Sequence, residues 1–272
     1  MSLHLLKSSI ERKKSTALGI GPMSINCVDA VCELSNEYNL PLMLIASRRQ
    51  IDSKELGGGY VNNWSTEEFS NYVMANDSKK LVILSRDHGG PWQNNFELEN
   101  KYNLEEAMAS AKKSYSADIA SGFKIIHIDP SIDPFHEINT DLVLERIYEL
   151  YDFCFQEAER YNKEIIFEIG TEEQSGSTNT PEELEYTVEK IKIFCEKNKF
   201  PKPSFVVIQS GTRVVEMRNV GSFDSDIRVK NELASEIQVP RMIEICEKNG
   251  IWMKAHNTDY VSNEGLKSHP KL

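Results

Sequence analysis

The sequence predicts an α/β fold, because short apolar segments alternate with amphipathic helical segments along the chain of 272 residues. Seven apolar segments of four to six residues supply the strands, and each is followed by turn residues. The segments are apolar nearly throughout, which is typical of parallel strands covered on both faces. With seven repeats of roughly 35 residues, the pattern favours a TIM (β/α)8 barrel.

The predicted elements follow one another in regular order. Ser65–Glu68 and Thr180–Glu183 have the residue spacing of helix capping boxes, so a helix is predicted to begin at each. Apolar residues three or four apart predict a further helix over Asn139–Asn162, and Asn249-Gly250 predicts the end of the helix before the last strand. The predicted strands are Ala17–Ile20, Pro41–Ala46, Leu81–Leu84, Phe123–Ile128, Ile165–Ile169, Ser204–Ile208 and Ile251–Ala255.

The alternative fold is an open, doubly wound sheet. Such a sheet usually has a GxGxxG loop after its first strand, and Gly19–Pro22 does not match that pattern. Because no linker or low-complexity segment divides the chain, residues 1–272 are predicted to form a single domain. Only seven strand segments are evident, so the barrel is predicted to be truncated after about seven βα units.

Composition bounds the partners and the compartment. The 42 acidic and 31 basic residues give a net charge of −11, which argues against nucleic acid as a partner. No segment reaches the roughly 18 apolar residues of a membrane span, so a soluble protein is expected. The cysteines are odd in number and widely spaced, which predicts reduced core residues of a cytoplasmic protein: Cys27, Cys32, Cys154, Cys195 and Cys246.

Histidines stand at the carboxyl ends of three predicted strands, where active sites form in an α/β barrel. His88, His127 and His256 each have Asp or Asn within three residues. Imidazole and carboxylate ligands suit Zn²⁺, and a neighbouring carboxylate can orient the imidazole or act as a base. Although one such histidine is more often structural, three of them favour a metal site.

Other residues near the strand ends leave more than one interpretation open. Arg48 and Arg49 could bind phosphate or lie in solvent. Trp64 and Trp92 could stack on a sugar, although packing is the favoured role for both. The Gly89-Gly90 pair directly follows the Asp-His pair, and it is expected to open space for a ligand.

Five motifs carry a family resemblance. The segment LSRDHGGPW resembles the GGDHLGP-type signature of class II D-tagatose-1,6-bisphosphate aldolases, in particular their Z-type, so-called non-catalytic, subunit. The segments RQIDSKELGGGY, KIIHIDPS, EIGTEE and KAHNTDY are similar to further motifs of this family and stand in the same order. The resemblance extends from Ala17 to Leu266.

The resemblance implies the chemistry of class II aldolases, in which a divalent metal, usually zinc, polarises the substrate carbonyl and stabilises an enediolate. Asp87 matches the catalytic acid/base, and His88 and His256 match two metal ligands. Glu172 matches the GTE motif of the Z-type family and is a second catalytic candidate. The third ligand is expected from Glu172 or from His127.

The chain also departs from the family pattern. Gln209 stands where the catalytic class has a histidine ligand, and Z-type subunits also have glutamine at this position. An amide is a poorer zinc ligand than imidazole. Arg86 replaces a glycine before the Asp-His pair, and Gly89 replaces a leucine. The family chain is considerably longer than this one. The residues expected to bind substrate are Gln50, Gly59, Asp129, Ser131, Glu168, Gln209 and Asp259.

These observations lead to two functional expectations. The first is a metal-dependent lyase or epimerase of carbohydrate metabolism that acts on a ketose or ketose phosphate. The alternative is a non-catalytic subunit that stabilises a separate class II aldolase chain. The expected cofactor is a divalent metal, with zinc favoured. The expected partners are the sugar substrate, a catalytic aldolase subunit and further copies of this chain in a homo-oligomer.

Overall fold

The computed structural model describes residues 2–12, 16–170, 180–208, 213–215, 218–220, 235–256 and 262–268. The chain forms two compact units. The first unit comprises residues 1–135 and 149–166, and the second comprises residues 136–148 and 167–272. The single domain expected over residues 1–272 stays a prediction.

Seven strands in parallel ladders overlap the seven predicted segments, as expected for an α/β fold. In the first unit the strand order is β1-β2-β3-β4, and in the second it is β5-β6-β9. An antiparallel pair, β7 and β8, was not predicted. The strands are β1 Gly19–Ile20, β2 Met43–Ser47, β3 Ile83–Gly89, β4 Ile125–Ile128, β5 Ile166–Ile169, β6 Phe205–Ile208, β7 Arg213–Val215, β8 Arg218–Val220 and β9 Trp252–Ala255.

Helices follow the parallel strands, and one turn of 3₁₀ helix covers Lys54–Leu56. In the described parts of the chain, no helix is both long and apolar enough to cross a membrane. The α-helices are α1 Ser2–Glu11, α2 Ile25–Tyr38, α3 Thr66–Asn76, α4 Asn95–Glu99, α5 Leu104–Ser121, α6 Thr140–Tyr161, α7 Pro181–Asn198, α8 Ser235–Asn249 and α9 Asn263–Ser268.

Both predicted capping boxes are confirmed. The Ser65 side chain accepts from the amide of Glu68 at the start of α3, and Thr180 does the same for Glu183 at the start of α7. In each box the glutamate side chain accepts from the backbone of the capping residue, so two exposed donors are satisfied together. A third box, formed by the Asn103–Glu106 segment, starts α5 and was not predicted.

The core of the first unit holds its strand ends in place. Leu44, Ile83 and Ile126, on three neighbouring strands, are completely buried, as segments covered on both faces require. Helices α3 and α5 pack against each other, and the rings of Phe69 and Phe123 lie 6.3 Å apart. Side chains packed this densely restrict movement of the strands that carry the polar residues described below.

The second unit has its own apolar core. Helix α7 buries Val188, Ile191 and Cys195, spaced by three or four residues, and contacts α8. Parallel strands β6 and β9 pair Phe205 with Trp252, and the rings of these two residues lie 5.3 Å apart. The helical spacing in this part of the sequence therefore corresponds to a buried helix face, as periodicity predicts.

The cysteines permit a test of the described packing. All five are free thiols, and all except Cys27 are buried. Burial raises the pKa of Cys32 to about 11 and that of Cys246 to about 12. Because only the thiolate is nucleophilic, a thiol with a pKa of about 12 is ionised in about one molecule in 10⁴ at pH 8.

We therefore expect one fast-reacting thiol per folded chain at pH 8, and five after denaturation in guanidinium. A chromogenic disulfide reagent measures both numbers. Cys27→Ser is the control, because it removes the single fast phase and leaves the slow phases unchanged. Two or more fast thiols in the folded protein would contradict the described packing.

Candidate metal and acid–base site

A bulge in β3 brings Asp87 and His88 side by side. Successive side chains of a regular strand point to opposite faces of the sheet, so neighbours in sequence do not normally meet. Here two residues of β3, Asp87 and His88, stand opposite one residue of β4, His127. His88 also has a left-handed backbone conformation, with φ at 42°. The paired residues flanking the bulge are Arg86 with Ile126 and Gly89 with Ile128.

The bulge leaves the two side chains close together and partly accessible. His88 Nε2 lies 4.0 Å from Asp87 Oδ2, and the two side chains are 20% and 15% exposed. A solute can therefore reach both groups. A bulge beside an active site commonly redirects a side chain in this way, although bulges between parallel strands are rare.

Asp129 fixes the orientation of the His88 ring. Its Oδ2 lies 2.7 Å from His88 Nδ1 and accepts a second bond from Gln93 Nε2 at 3.2 Å. The backbone N–H of Ser131 donates to Asp129 Oδ1 at 3.2 Å, and the Ser131 hydroxyl donates to the same oxygen. Burial alone would raise the pKa of Asp129, but the bond from His88 and the neighbouring donors lower it overall. An ionised Asp129 therefore accepts from His88 Nδ1–H, which leaves Nε2 as the nitrogen nearest Asp87.

His127 lies on the β4 side of the same cluster and is completely buried. Its Nδ1 accepts a hydrogen bond from the backbone N–H of His88 at 3.0 Å, and lies 3.7 Å from Asp87 Oδ1. The His88 and His127 rings are 5.4 Å apart. Ligand atoms of Asp87 thus lie within 4.8 Å of ligand atoms of both histidines.

Arg48 is a structural residue, which corrects both interpretations left open for it. It is 1% exposed, so it neither lies in solvent nor offers a free guanidinium to phosphate. It forms ion pairs with Asp52 at 3.0 Å and Glu97 at 2.7 Å, and it donates to the carbonyl of Gly90 at 2.8 Å. Burial raises the pKa of Glu97 against the opposing effect of Arg48. Arg49, by contrast, is exposed.

The Gly89-Gly90 pair does not clear space for a ligand, which corrects the sequence interpretation. A Cβ at Gly89 would lie 2.5 Å from Cε1 of Tyr115, and one at Gly90 would lie 2.3 Å from the carbonyl oxygen of Asp129. Protein atoms therefore occupy the space that a side chain would need. The favoured packing role of the tryptophans agrees with their burial, since Trp64 and Trp92 are 8% and 1% exposed.

Two further predicted residues lie together after β2. Gln50 is buried, and its Oε1 accepts from the backbone N–H of Ser47 at 2.9 Å. A Cβ at Gly59 would overlap the carbonyl oxygen of Gln50 at 2.0 Å, so only glycine fits there. Because Ser47 is the register partner of Asp87, both residues stand at the neighbouring strand end.

The second unit contains two of the predicted site residues. Glu168, on β5, is 3% exposed, and its Oε1 lies 2.5 Å from Lys254 Nζ on β9. His256 follows β9 and is buried. Lys254 was missed in the sequence analysis, although a lysine inside an otherwise apolar segment signals a partnered side chain. Glu172, Gln209 and Asp259 lie outside the described residues.

The first unit thus brings together Asp87, His88, His127, Asp129 and Ser131, with Gln50 and Gly59 at the adjacent strand end. Gln93 belongs to the same cluster, and sequence reasoning missed it because it lies in a loop with no pattern around it. Polar side chains at the carboxyl ends of parallel strands, each strand being followed by a helix, are typical of the α/β-barrel class of proteins.

The chain belongs to the D-tagatose-1,6-bisphosphate aldolase subunit GatZ/KbaZ-like family, which it matches over residues 6–269. This match confirms the family that the sequence motifs indicated. The match extends over nearly the whole chain, so both units are included.

Solved structures share the fold at low sequence identity. A probable tagatose 6 phosphate kinase from Sinorhizobium meliloti 1021 has a TM-score of 0.73 and 19% identity, over 94% of this chain and 62% of that chain. A putative fructose-1,6-biphosphate aldolase from Coccidioides immitis has a TM-score of 0.59 and 12% identity, over 97% of this chain and 75% of that chain. A fructose-bisphosphate aldolase from Campylobacter jejuni has a TM-score of 0.56 and 14% identity, over 98% of this chain and 72% of that chain. This chain therefore has the fold of the aldolase barrels, and spans less than two thirds of the first of these proteins.

Proposed function

We propose that the chain is a metal-dependent lyase that cleaves a ketose phosphate by a retro-aldol reaction, with His88 as a metal ligand and Asp87 as the base. The observation that carries the proposal is the 2.7 Å contact between His88 Nδ1 and Asp129 Oδ2. Histidine ligands of metals commonly donate their other ring N–H to a carboxylate, which fixes the tautomer and makes the ring more basic.

The described residues fit a divalent cation. His88 presents Nε2 on the side of Asp87, at 4.0 Å from a carboxylate oxygen, and the pair is partly accessible. Imidazole nitrogen is a zinc ligand, and a carboxylate beside the metal can act as the base. The family resemblance predicts His256 as the second ligand and either Glu172 or His127 as the third. The family description and two aldolase neighbours favour a sugar phosphate as the substrate.

A bound divalent cation would supply Lewis-acid polarisation of the substrate carbonyl. Asp87 takes the hydroxyl proton whose removal begins carbon–carbon cleavage, and it returns a proton to the carbanionic product. Asp129 stays ionised and keeps the His88 ring in one orientation. Completely buried side chains on the β4 side of the cluster, His127 and Asp129, exclude water from the rear of the site.

The test is metal analysis of the purified protein, followed by a substrate screen. We expect one zinc per chain and cleavage of tagatose 1,6-bisphosphate. Asp87→Asn should retain zinc and lose about 100-fold or more in kcat, since general base catalysis contributes about 10² to 10⁴. His88→Ala should lose the zinc as well. Asp152→Asn, on the exposed face of α6, is the matched control and should leave both properties unchanged.

A metal-free protein that converts neither sugar bisphosphates nor free ketoses would overturn this function. If the protein instead epimerised a ketose without cleaving it, the assignment of the site would stand and the proposed cleavage reaction would be wrong. The description of the family as an aldolase subunit favours a second candidate, a non-catalytic chain that stabilises a separate class II aldolase. That candidate would be supported if wild type and Asp87→Asn equally raised the thermal stability and activity of a catalytic class II chain.

A further inference from the structure

We propose that His127 is a positioning residue, which holds the β3 bulge through its Nδ1 and thereby brings Asp87 and His88 together. The metal-binding consequence rests on the proposed function. The hydrogen bond itself does not, because it can be measured in the metal-free protein. His127 is one of two residues that the family resemblance implied as a third ligand, and the proposal gives it a different role.

The geometry requires something to hold the bulge. In the ladder between β3 and β4, one extra residue of β3 displaces the regular pairing between Arg86 and Gly89. At this point the backbone N–H of His88 donates to a side chain, His127 Nδ1, at 3.0 Å. The imidazole thus accepts a bond within the stretch where the two backbones have changed register.

The backbone of His88 adds a cost that this hydrogen bond offsets. A φ of 42° places the residue in the left-handed region, which is unfavourable for a residue that carries a side chain. Such a conformation persists only where several contacts require it. Here the His88 ring is bonded to Asp129 at 2.7 Å, and its amide is bonded to His127, so both ends of the residue are held.

His127 is itself fixed in place. The hydroxyl of Tyr115 donates to the carbonyl oxygen of His127 at 3.0 Å, and the His127 side chain is completely buried. Because Nδ1 accepts a hydrogen bond from the His88 amide, the ring proton resides on Nε2. The lone pair of Nδ1 is already used by the His88 amide, so this nitrogen acts on the backbone rather than on an ion.

Substitution at His127 separates the two roles. The side-chain oxygen of asparagine occupies nearly the position of Nδ1 and can accept the same bond, whereas the amide of glutamine reaches the position of Nε2. Leucine provides no acceptor at either position. The proposal therefore predicts that His127→Asn rescues what His127→Leu and His127→Gln lose. The control is His4→Leu, at an exposed position of α1.

The first measurement is hydrogen exchange of the His88 amide by NMR, in the metal-free protein. We expect exchange in His127→Asn to stay within about 3-fold of wild type, and to accelerate at least about 10-fold in His127→Leu and His127→Gln, since loss of a net hydrogen bond of about 1.5 kcal/mol corresponds to about tenfold. If leucine prevents folding, the Asn–Gln comparison decides the result. Equal exchange in the Asn and Gln variants would overturn the proposal.

The second measurement is zinc affinity by chelator competition. We expect about a 10- to 100-fold loss in His127→Leu, the range found when residues supporting a metal ligand are removed, and near wild-type affinity in His127→Asn. Asn losing as much affinity as Leu, with the His88 amide still protected in Asn, would overturn the positioning role and identify a metal ligand. A wild-type protein that binds no zinc would defeat the proposed function, while the exchange data would still decide the role of His127.

Discussion

Replacing Arg86 by leucine is expected to destabilise the first unit by about 3–5 kcal/mol, the range for breaking a buried ion pair. The Arg86 guanidinium binds both carboxylate oxygens of Asp118, at 2.7 and 2.6 Å, and neither side chain is exposed. It also donates to the carbonyls of Ala46 and Ile51, at 2.7 and 2.8 Å. Leucine fills part of the volume but leaves one buried carboxylate and two carbonyls without this donor.

The charge state of Arg86 supports this expectation. Burial lowers the pKa of the guanidinium, but the carboxylate of Asp118 raises it by more, so the arginine stays charged. The only other side-chain donor to Asp118 among the described hydrogen bonds is the hydroxyl of Thr66, at 3.3 Å. One neutral hydroxyl does not replace a bidentate, charge-assisted pair.

Urea denaturation in a Trp252→Phe background measures the effect, because the remaining tryptophans, Trp64 and Trp92, both lie in the first unit. Arg160→Leu is the matched control. Its guanidinium pairs with Glu157 but is 69% exposed, so a loss below about 1 kcal/mol is expected. An Arg86→Leu variant no less stable than Arg160→Leu would contradict the structural role assigned to Arg86.

The seven strands were predictable because a parallel strand covered on both faces is apolar at nearly every position. Among these seven, the largest difference lies at the end of β3. Ser85–Gly89 is polar, so the apolar pattern stops at Leu84, whereas the strand continues to Gly89. The additional residues are those that carry the site. Side chains that can act chemically at a strand end are polar, so the apolar pattern from which a strand is predicted stops before them.

The candidate site was predictable in membership and not in arrangement. Residue type and position at strand ends indicated Asp87, His88 and Asp129. The bulge was hidden, because it depends on the register between two strands distant in sequence. Arg48 was misinterpreted for a related reason, since its carboxylate partners Asp52 and Glu97 lie on different segments and only tertiary structure brings them to one guanidinium.

Gly90→Ala is expected to lower the free energy of unfolding by about 3–5 kcal/mol. It is also expected to weaken the proposed zinc binding about 100-fold. The φ of Gly90 is 152°, where a side chain is strained, and its Cβ would lie 2.3 Å from the carbonyl oxygen and 2.9 Å from the carbonyl carbon of Asp129. Strain contributes about 1–3 kcal/mol and overpacking a similar amount. The contacting atoms belong to the backbone, so rotation of a flexible side chain cannot relieve the overlap.

The substitution affects the site because both backbone segments that would have to separate belong to the site. Separating Gly90 from Asp129 displaces either the chain just after His88 or the end of β4, and the 2.7 Å contact between His88 and Asp129 requires both in place. Gly122→Ala is the matched control, with φ at 93° and nothing within 4 Å of the added Cβ. It should lose only the strain, about 1–2 kcal/mol, and keep its zinc affinity. If Gly90→Ala matched Gly122→Ala in both stability and zinc affinity, the close approach of these two backbones would have no part in forming the site.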